Sequence, residues 1–217
     1  MLARPIITQV SGELNDPTFI TWAEADHIRN FNSARKQIVL VRPDAYSDLE
    51  SVLLTPGSNT HSLPDGALRL LKVTRNMGED GLTPGRALRM VDMDSLNTFD
   101  RDWPKASKGK AAIREISYDD TIPRVFNTEP PAHATTPVYV ELGVSKLPVD
   151  MTDPDADSLE IPDIYEQPMR QYMLHLAFGV EVESQASMIK SRSFLQDFYN
   201  SLGLKTKVDK GFSPSKD

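Results

Sequence analysis

Residues 21–43 read Thr-Trp-Ala-Glu-Ala-Asp-His-Ile-Arg-Asn-Phe-Asn-Ser-Ala-Arg-Lys-Gln-Ile-Val-Leu-Val-Arg-Pro, and they carry both ends and one face of a helix. Thr21 with Glu24 three residues later has the pattern of a capping box, in which each side chain satisfies a backbone donor near the other. Pro43 stops the run, because its ring disfavours helical geometry at the residue before it. The spacing predicts a helix from Trp22 to about Arg42. At about 100° per residue, Ile28, Phe31, Ala34, Ile38, Val39 and Val41 fall on one arc, with Arg29, Ser33, Lys36 and Gln37 opposite. Arg35 sits inside the apolar arc, so it either snorkels to solvent or meets a carboxylate. Towards the N-terminus, Ile6, Ile7, Val10 and Leu14 give residues 6–14 a second amphipathic helix, which Asn15-Asp16-Pro17 ends.

Beyond the helix the pattern shortens. Ser51–Thr55 and His61–Leu63 are extended runs on either side of the turn Pro56-Gly57-Ser58-Asn59. Arg69–Arg75 alternates in part, passes through a loop holding Gly78, Gly81, Pro84 and Gly85, and resumes at Arg86–Val91. Asp94 is placed to cap a short helix over 95–101. Ile113–Tyr118, Arg124–Asn127 and Val138–Val144 complete six or seven short strands, a spacing that predicts a small antiparallel β-domain.

Residues 150–166 then carry Asp150, Asp153, Asp155, Asp157, Glu160, Asp163 and Glu166 with no base. This acidic connector leads to two helices, about 163–180 and 183–202. Pro168 falls near the fifth position of the first if Asp163 caps it, which predicts a kink or a later start. In the second, Met188, Leu195 and Leu202 recur every seven residues, with Ser191, Phe198 and Tyr199 on the same face, and Gly203 is the expected stop. The fold class that follows is α+β: a helical body from the N- and C-terminal helices with an inserted small antiparallel β-domain. Its expected segments are N-terminal helices at 1–48, the β-domain with a short helix at 49–149, the connector and C-terminal helices at 150–204, and a flexible polar tail at 205–217.

Composition removes several classes of chemistry. Among 217 residues there is no Cys, which excludes disulfides, thiolate nucleophiles and Cys-ligated metals. No stretch approaches the ~20 apolar residues of a membrane span and the N-terminus lacks an apolar signal core, so the chain reads as soluble, with no membrane partner. Lys and Arg total 24 against 31 Asp and Glu, a net charge of −7 that argues against coating nucleic acid.

Each candidate site reads as structural. Glu24-x-x-His27 has the spacing of a carboxylate-bridged metal motif, but no second copy exists, and it reads as a capped, solvated helix turn. Asp153-Pro-Asp155-Ala-Asp157 opens like a calcium loop, yet Ser158 and Ile164 stand where Gly and Glu are needed, which leaves a solvated linker. Gly78–Arg86 lacks the Lys of a phosphate loop and carries Glu79 and Asp80, so a hairpin or interface loop is expected. His61 beside Ser62, the other histidines (His27, His133, His175) and Asp119-Asp120 form no catalytic motif. The chain therefore reads as no enzyme, with no cofactor and no metal. Arg101, Lys105, Lys108, Lys110 and Arg114, with Trp103 among them, form the best local nucleic-acid candidate, set against an exposed loop.

Ala34-Arg35-Lys36-Gln37-Ile38-Val39-Leu40-Val41-Arg42-Pro43-Asp44-Ala45 closes a helix pair that resembles the phage adaptor proteins of short-tailed phages. So do Leu63-Pro64-Asp65-Gly66-Ala67-Leu68-Arg69-Leu70-Leu71 running into Val73-Thr74-Arg75-Asn76-Met77-Gly78, then Thr83-Pro84-Gly85-Arg86-Ala87, and Leu159-Glu160-Ile161-Pro162-Asp163-Ile164-Tyr165. The resemblance covers about residues 5–204. Arg124–Pro131 departs from it where a more aromatic strand is expected, and Pro168 interrupts a helix start.

The resemblance implies a structural virion protein: a head-to-tail adaptor ring, twelve copies by family, docked on the portal and facing the tail nozzle. It would be assembled in the host cytoplasm, and genomic DNA would pass through its channel without sequence-specific binding. On that reading Lys205, Lys207, Lys210 and Phe212 in the tail are the candidate portal contact, and the 150–166 acids, if they face the channel, repel DNA. A tail-tube or tail-completion protein of the same virion, and a nucleic-acid-binding module using the 101–114 cluster, are the alternatives.

Overall fold

The computed structural model of the chain describes residues 3–99, 103, 108–156, 160–180 and 184–212, with the backbone alone at Phe99 and beyond Gly203. It divides into two compact units, Met1–Ala45 with Pro148–Asp217, and Tyr46–Leu147.

The first unit is helical. Helix α1 spans Arg4–Glu13 and buries Ile6, Ile7 and Val10; Asn15, in left-handed geometry at φ 56°, follows its end. Helix α2 spans Glu24–Val41 and buries Phe31, Ala34, Ile38 and Val39, while Ile28 is half-buried and Val41 exposed. The expected capping box does not form, since the residue before the helix is Ala23 and offers no side-chain cap. Glu24 pairs with Arg4 instead. The approach to α2 is organised by the buried Asp16, whose carboxylate accepts the amides of Ile20, Thr21 and Trp22 at 2.9, 2.8 and 2.7 Å. Those bonds favour the charged form and hold the Asp16 carboxyl below its ordinary pKa.

After a 3-10 turn at Asp163–Tyr165, α4 runs from Glu166 to Val180. Pro168 is its third residue, where an amide is not needed, so the later start accommodates it without a break. Helix α5 runs from Gln185 to Phe212 and packs on α4. Its buried face is Ser187, Ser191, Phe198 and Leu202, whereas Met188 and Tyr199 are 37% and 45% exposed and leave the expected heptad. Small residues explain the choice. Gly179 lies against Ser191, and the Ser191 hydroxyl donates to the His175 carbonyl at 3.0 Å, so α4 and α5 approach closely there. The helix also continues through Gly203, which is not its stop.

The second unit is two four-stranded sheets around one core. Strands β1 (Ser47–Leu53), β8 (Tyr139–Lys146), β3 (Ala67–Met77) and β4 (Pro84–Ala87) form the first in that order, all antiparallel. The second holds β2 (Thr60–Ser62), β7 (Val125–Glu129), β6 (Glu115–Tyr118) and β5 (Arg89–Val91). One pair departs from the antiparallel expectation: β5 and β6 run parallel, with α3 (Met93–Phe99) in the crossover between them. Asp92, not Asp94, caps α3, accepting the Asp94 amide at 3.1 Å. Val140, Leu142 and Val144 of β8 are fully buried and pack with Leu70, Ile116 and Phe126.

The chain changes sheet four times, between β1 and β2, β2 and β3, β4 and β5, and β7 and β8. The turn after β1 leads into β2 of the other sheet, and at Leu88 the backbone passes from β4 to β5. There Leu88 N–H donates to Thr74 of β3, and Arg89 N–H donates to the Arg114 carbonyl next to β6. The buried Asn76 pins this crossing: its amide donates to the Arg86 and Ile113 carbonyls at 3.0 and 2.9 Å and its oxygen accepts the Ile113 amide at 2.7 Å.

In the helical unit Arg35 has found its carboxylate. Only 3% exposed, it reaches Glu160 at 3.0 Å and the Val149 carbonyl at 3.0 Å. Glu160→Ala strands a buried guanidinium and is expected to cost about 1–3 kcal/mol, because Glu160 is itself partly exposed, while Arg35→Met should cost less. Urea unfolding of both variants checks the order; equal losses would mean the pair is not the determinant.

Candidate interaction surfaces

Most charge-bearing candidates are engaged in the fold. Asp150 pairs with Lys36 at 2.6 Å, Asp155 with Arg4 at 2.6 Å, and Glu160 with Arg35, so three of the connector acids hold it to α1 and α2. Asn32 adds a two-way bond to the Met151 backbone, 2.9 Å in each direction. The calcium-loop pattern is not assembled, because Asp153 accepts the Asp155 amide and Asp155 faces Arg4; Asp157 and Ser158 lie outside the described residues. His27 is not a solvated turn residue but is 2% exposed, edge-on to Phe19, and burial lowers its pKa. Among the described residues no three His, Asp or Glu side chains converge as metal ligands.

The remaining motifs are turns. Gly78–Gly85 closes the β3–β4 hairpin: Gly81 sits at φ 69°, and Asp80 accepts the Leu82 and Thr83 amides at 2.9 and 3.0 Å and the Thr83 hydroxyl at 2.8 Å. Asp119 bonds the Thr121 amide and hydroxyl while Asp120 meets Arg69 at 3.2 Å, so the two acids do not act as a pair. His133 accepts the Thr136 amide at 3.0 Å. His175 Nδ1 lies 3.0 Å from the Ser191 carbonyl, to which it donates.

Three surfaces are left. The first concerns the basic cluster, which the structure reshapes. Arg101 and Lys105 lie outside the described residues, Lys108 and Lys110 are exposed, and Arg114 is held by Glu129 at 2.5 Å. Arg114 lines a cleft with Glu115 and with two arginines from another part of the chain, Arg86 and Arg89. Arg86 stands in sequence with the Gly78–Arg86 loop and Arg89 with the strand after it, both far from the 101–114 run; the parallel register that sets Arg89 opposite Glu115 brings them in. The second surface is the β1 edge, where Leu49 and Leu53 are 48% and 51% exposed. The third is a groove between α4 and α5, where Phe178 stacks on Phe194 at 5.8 Å and Lys190 lies 5.0 Å over the Phe178 ring. The side chains of Lys205, Lys207, Lys210 and Phe212 lie outside the described residues, although the helical backbone carries their positions to Phe212. No helix among the described residues is long and apolar enough to cross a membrane.

An α+β frame carrying an open sheet edge, an arginine cleft and an aromatic groove has the chemistry of surface contact. Residues 1–215 match the model of the SU10 adaptor protein family, and the chain belongs to that family; it is a phage structural adaptor, a component of the virion. No curated protein matches it.

His61 sets the pH dependence of the β-unit that bears two of these surfaces. It is 3% exposed; its Nδ1 accepts the Thr55 amide at 3.0 Å, which leaves Nε2 to donate to the Thr128 hydroxyl at 3.0 Å. Burial pushes its pKa down to about 4. Between pH 6.5 and that value the unfolded chain binds a proton that the fold excludes, so stability falls as pH falls through the window and levels below it. The loss should reach about 2–3 kcal/mol by pH 4.5, and His61→Gln should flatten it. Urea titrations at pH 7.5 and 4.5 measure the difference.

Proposed function

We propose that the chain is a head-to-tail adaptor: copies of it form a ring, twelve by family, that docks on the portal and presents a surface to the tail nozzle. Membership of the SU10 adaptor family over 215 residues carries this reading. The β-unit supplies contacts between neighbours or towards the tail, and DNA passes through the ring without sequence-specific binding. Three of the connector's seven acids, Asp150, Asp155 and Glu160, are paired with cations of the same copy, which weakens the repulsion the connector can offer that DNA.

The portal contact falls to the helical unit. With 28 residues α5 is about 42 Å long, against about 22 Å for the 15 residues of α4, so its C-terminal turns outrun its packing partner. Lys205, Lys207, Lys210 and Phe212 lie on that overhang, a lysine-bearing end with one aromatic anchor.

Light scattering after size exclusion tests both parts. The protein mixed with its cognate portal should shift to a large ring complex, and a chain truncated after Leu204 should lose that shift while keeping its own unfolding transition. A monomer that ignores the portal would sink the reading, and full binding by the truncated chain would remove the tail from it.

A further inference from the structure

The sheet β1–β8–β3–β4 has two open edges, and they differ in a complementary way. The β1 edge is seven residues long, without Pro or Gly, pairs among the described residues only with β8, and exposes Leu49 and Leu53. An edge of that length with apolar side chains is one that proteins normally protect, because its free amides and carbonyls invite another strand. The opposite edge is β4, four exposed residues paired among the described residues only with β3. Pro84 has no amide and limits its ladder to Gly85, Arg86 and Ala87.

Direction and charge both fit one edge to the other. All three pairings in the sheet are antiparallel, so β1 and β4 run in opposite directions. Placing β4 of one copy beside β1 of the next therefore continues an antiparallel sheet without reversing either molecule. Asp48 and Glu50 alternate with the buried Val52 and share one cation, Lys146. Arg86, two residues before the buried Leu88, takes the same side of its own strand. Among the described residues neither Arg86 nor Arg89 forms an ion pair, and the cleft they line with Arg114 holds one acid, Glu115. One edge thus carries surplus acid and the other surplus base, on matching faces, while Leu49, Leu53 and Ala87 occupy the opposite face.

We propose that the β4 edge of one copy adds to the β1 edge of the next, with Arg86 and Arg89 meeting Asp48 and Glu50, and that this head-to-tail strand addition is the subunit contact of the ring. A heterologous contact of this kind closes when its rotation does. The proposal rests on the ring reading above.

The chain has no Cys, which makes disulfide trapping clean. Ala87→Cys is combined in turn with Ser47→Cys, Leu49→Cys, Ser51→Cys or Leu53→Cys, the four β1 positions on its face, so that no register is missed. Each is mixed with portal and oxidised with diamide. At least one combination should give a thiol-reversible ladder of covalent oligomers on a denaturing gel, and Ala87→Cys with the exposed Ile122→Cys should give none. Rings of full mass with no cross-link from any β1 position would overturn the edge contact and leave the ring standing. Absence of any ring from the unmodified protein would overturn both.

Discussion

A unit inserted into a helical body is held only if its two ends meet. Here they are paired neighbours: the Lys146 amide donates to the Tyr46 carbonyl at 3.1 Å, and Ser47 opens β1 directly opposite Ser145 of β8. First and last strands of the insertion are thus adjacent, and β8, with β3 on its other side, becomes one of the two interior strands of the sheet. Its three fully buried side chains follow from that position, since a strand paired on both sides with one face on the core has little water to meet. The chain can then leave and re-enter the helical unit within a few residues, so neither unit has to bridge a long gap.

The returning chain is fixed by charge. Over residues 149–160 the connector has few apolar side chains to bury, and α1 and α2 take hold of it through Arg4, Asn32, Arg35 and Lys36. The Arg4 amide also donates to the Pro154 carbonyl at 3.1 Å. An arginine in an apolar arc is costly without a partner, and Arg35 answers that cost with a carboxylate and a carbonyl from one segment. Asp150 and Asp155 stay exposed in these pairs, and the formal net charge of −7 already counts the cations they meet, so the pairing places positive charge beside the connector acids without changing the total.

How much of this was legible in the sequence depends on range. Helix faces and stops set by a neighbouring Pro could be read, and so could the need of Arg35 for a partner, because each is decided within one or two turns. Caps were misassigned at both places where two polar residues compete. Asp16 takes the Thr21 amide that Glu24 was expected to satisfy, and Asp92 takes the place of Asp94, since the winner depends on where the preceding chain comes from. The α5 face slipped because periodicity weighs Met188 above Ser187, whereas close packing on Gly179 favours the small residue. Parallel β5–β6 pairing, and with it the arginine cleft, is a long-range fact that strand spacing does not encode.

What separates the two units functionally is where their charges end up. In the helical unit, cations of α1 and α2 meet acids of the connector inside one copy, and the result is a self-contained body. In the β-unit Arg75 meets Glu141 and Arg114 meets Glu129, yet among the described residues Arg86 and Arg89 form no ion pair on one side while two acids share Lys146 on the other. Surplus of opposite sign at opposite edges contributes nothing to the fold of a single copy, because like charges gathered at an edge repel. It becomes favourable only when a second copy brings the two edges together. An open strand whose backbone groups are also unpaired gives that meeting a direction as well as a sign, and this is what a subunit needs if it is to pass the same contact from each neighbour to the next.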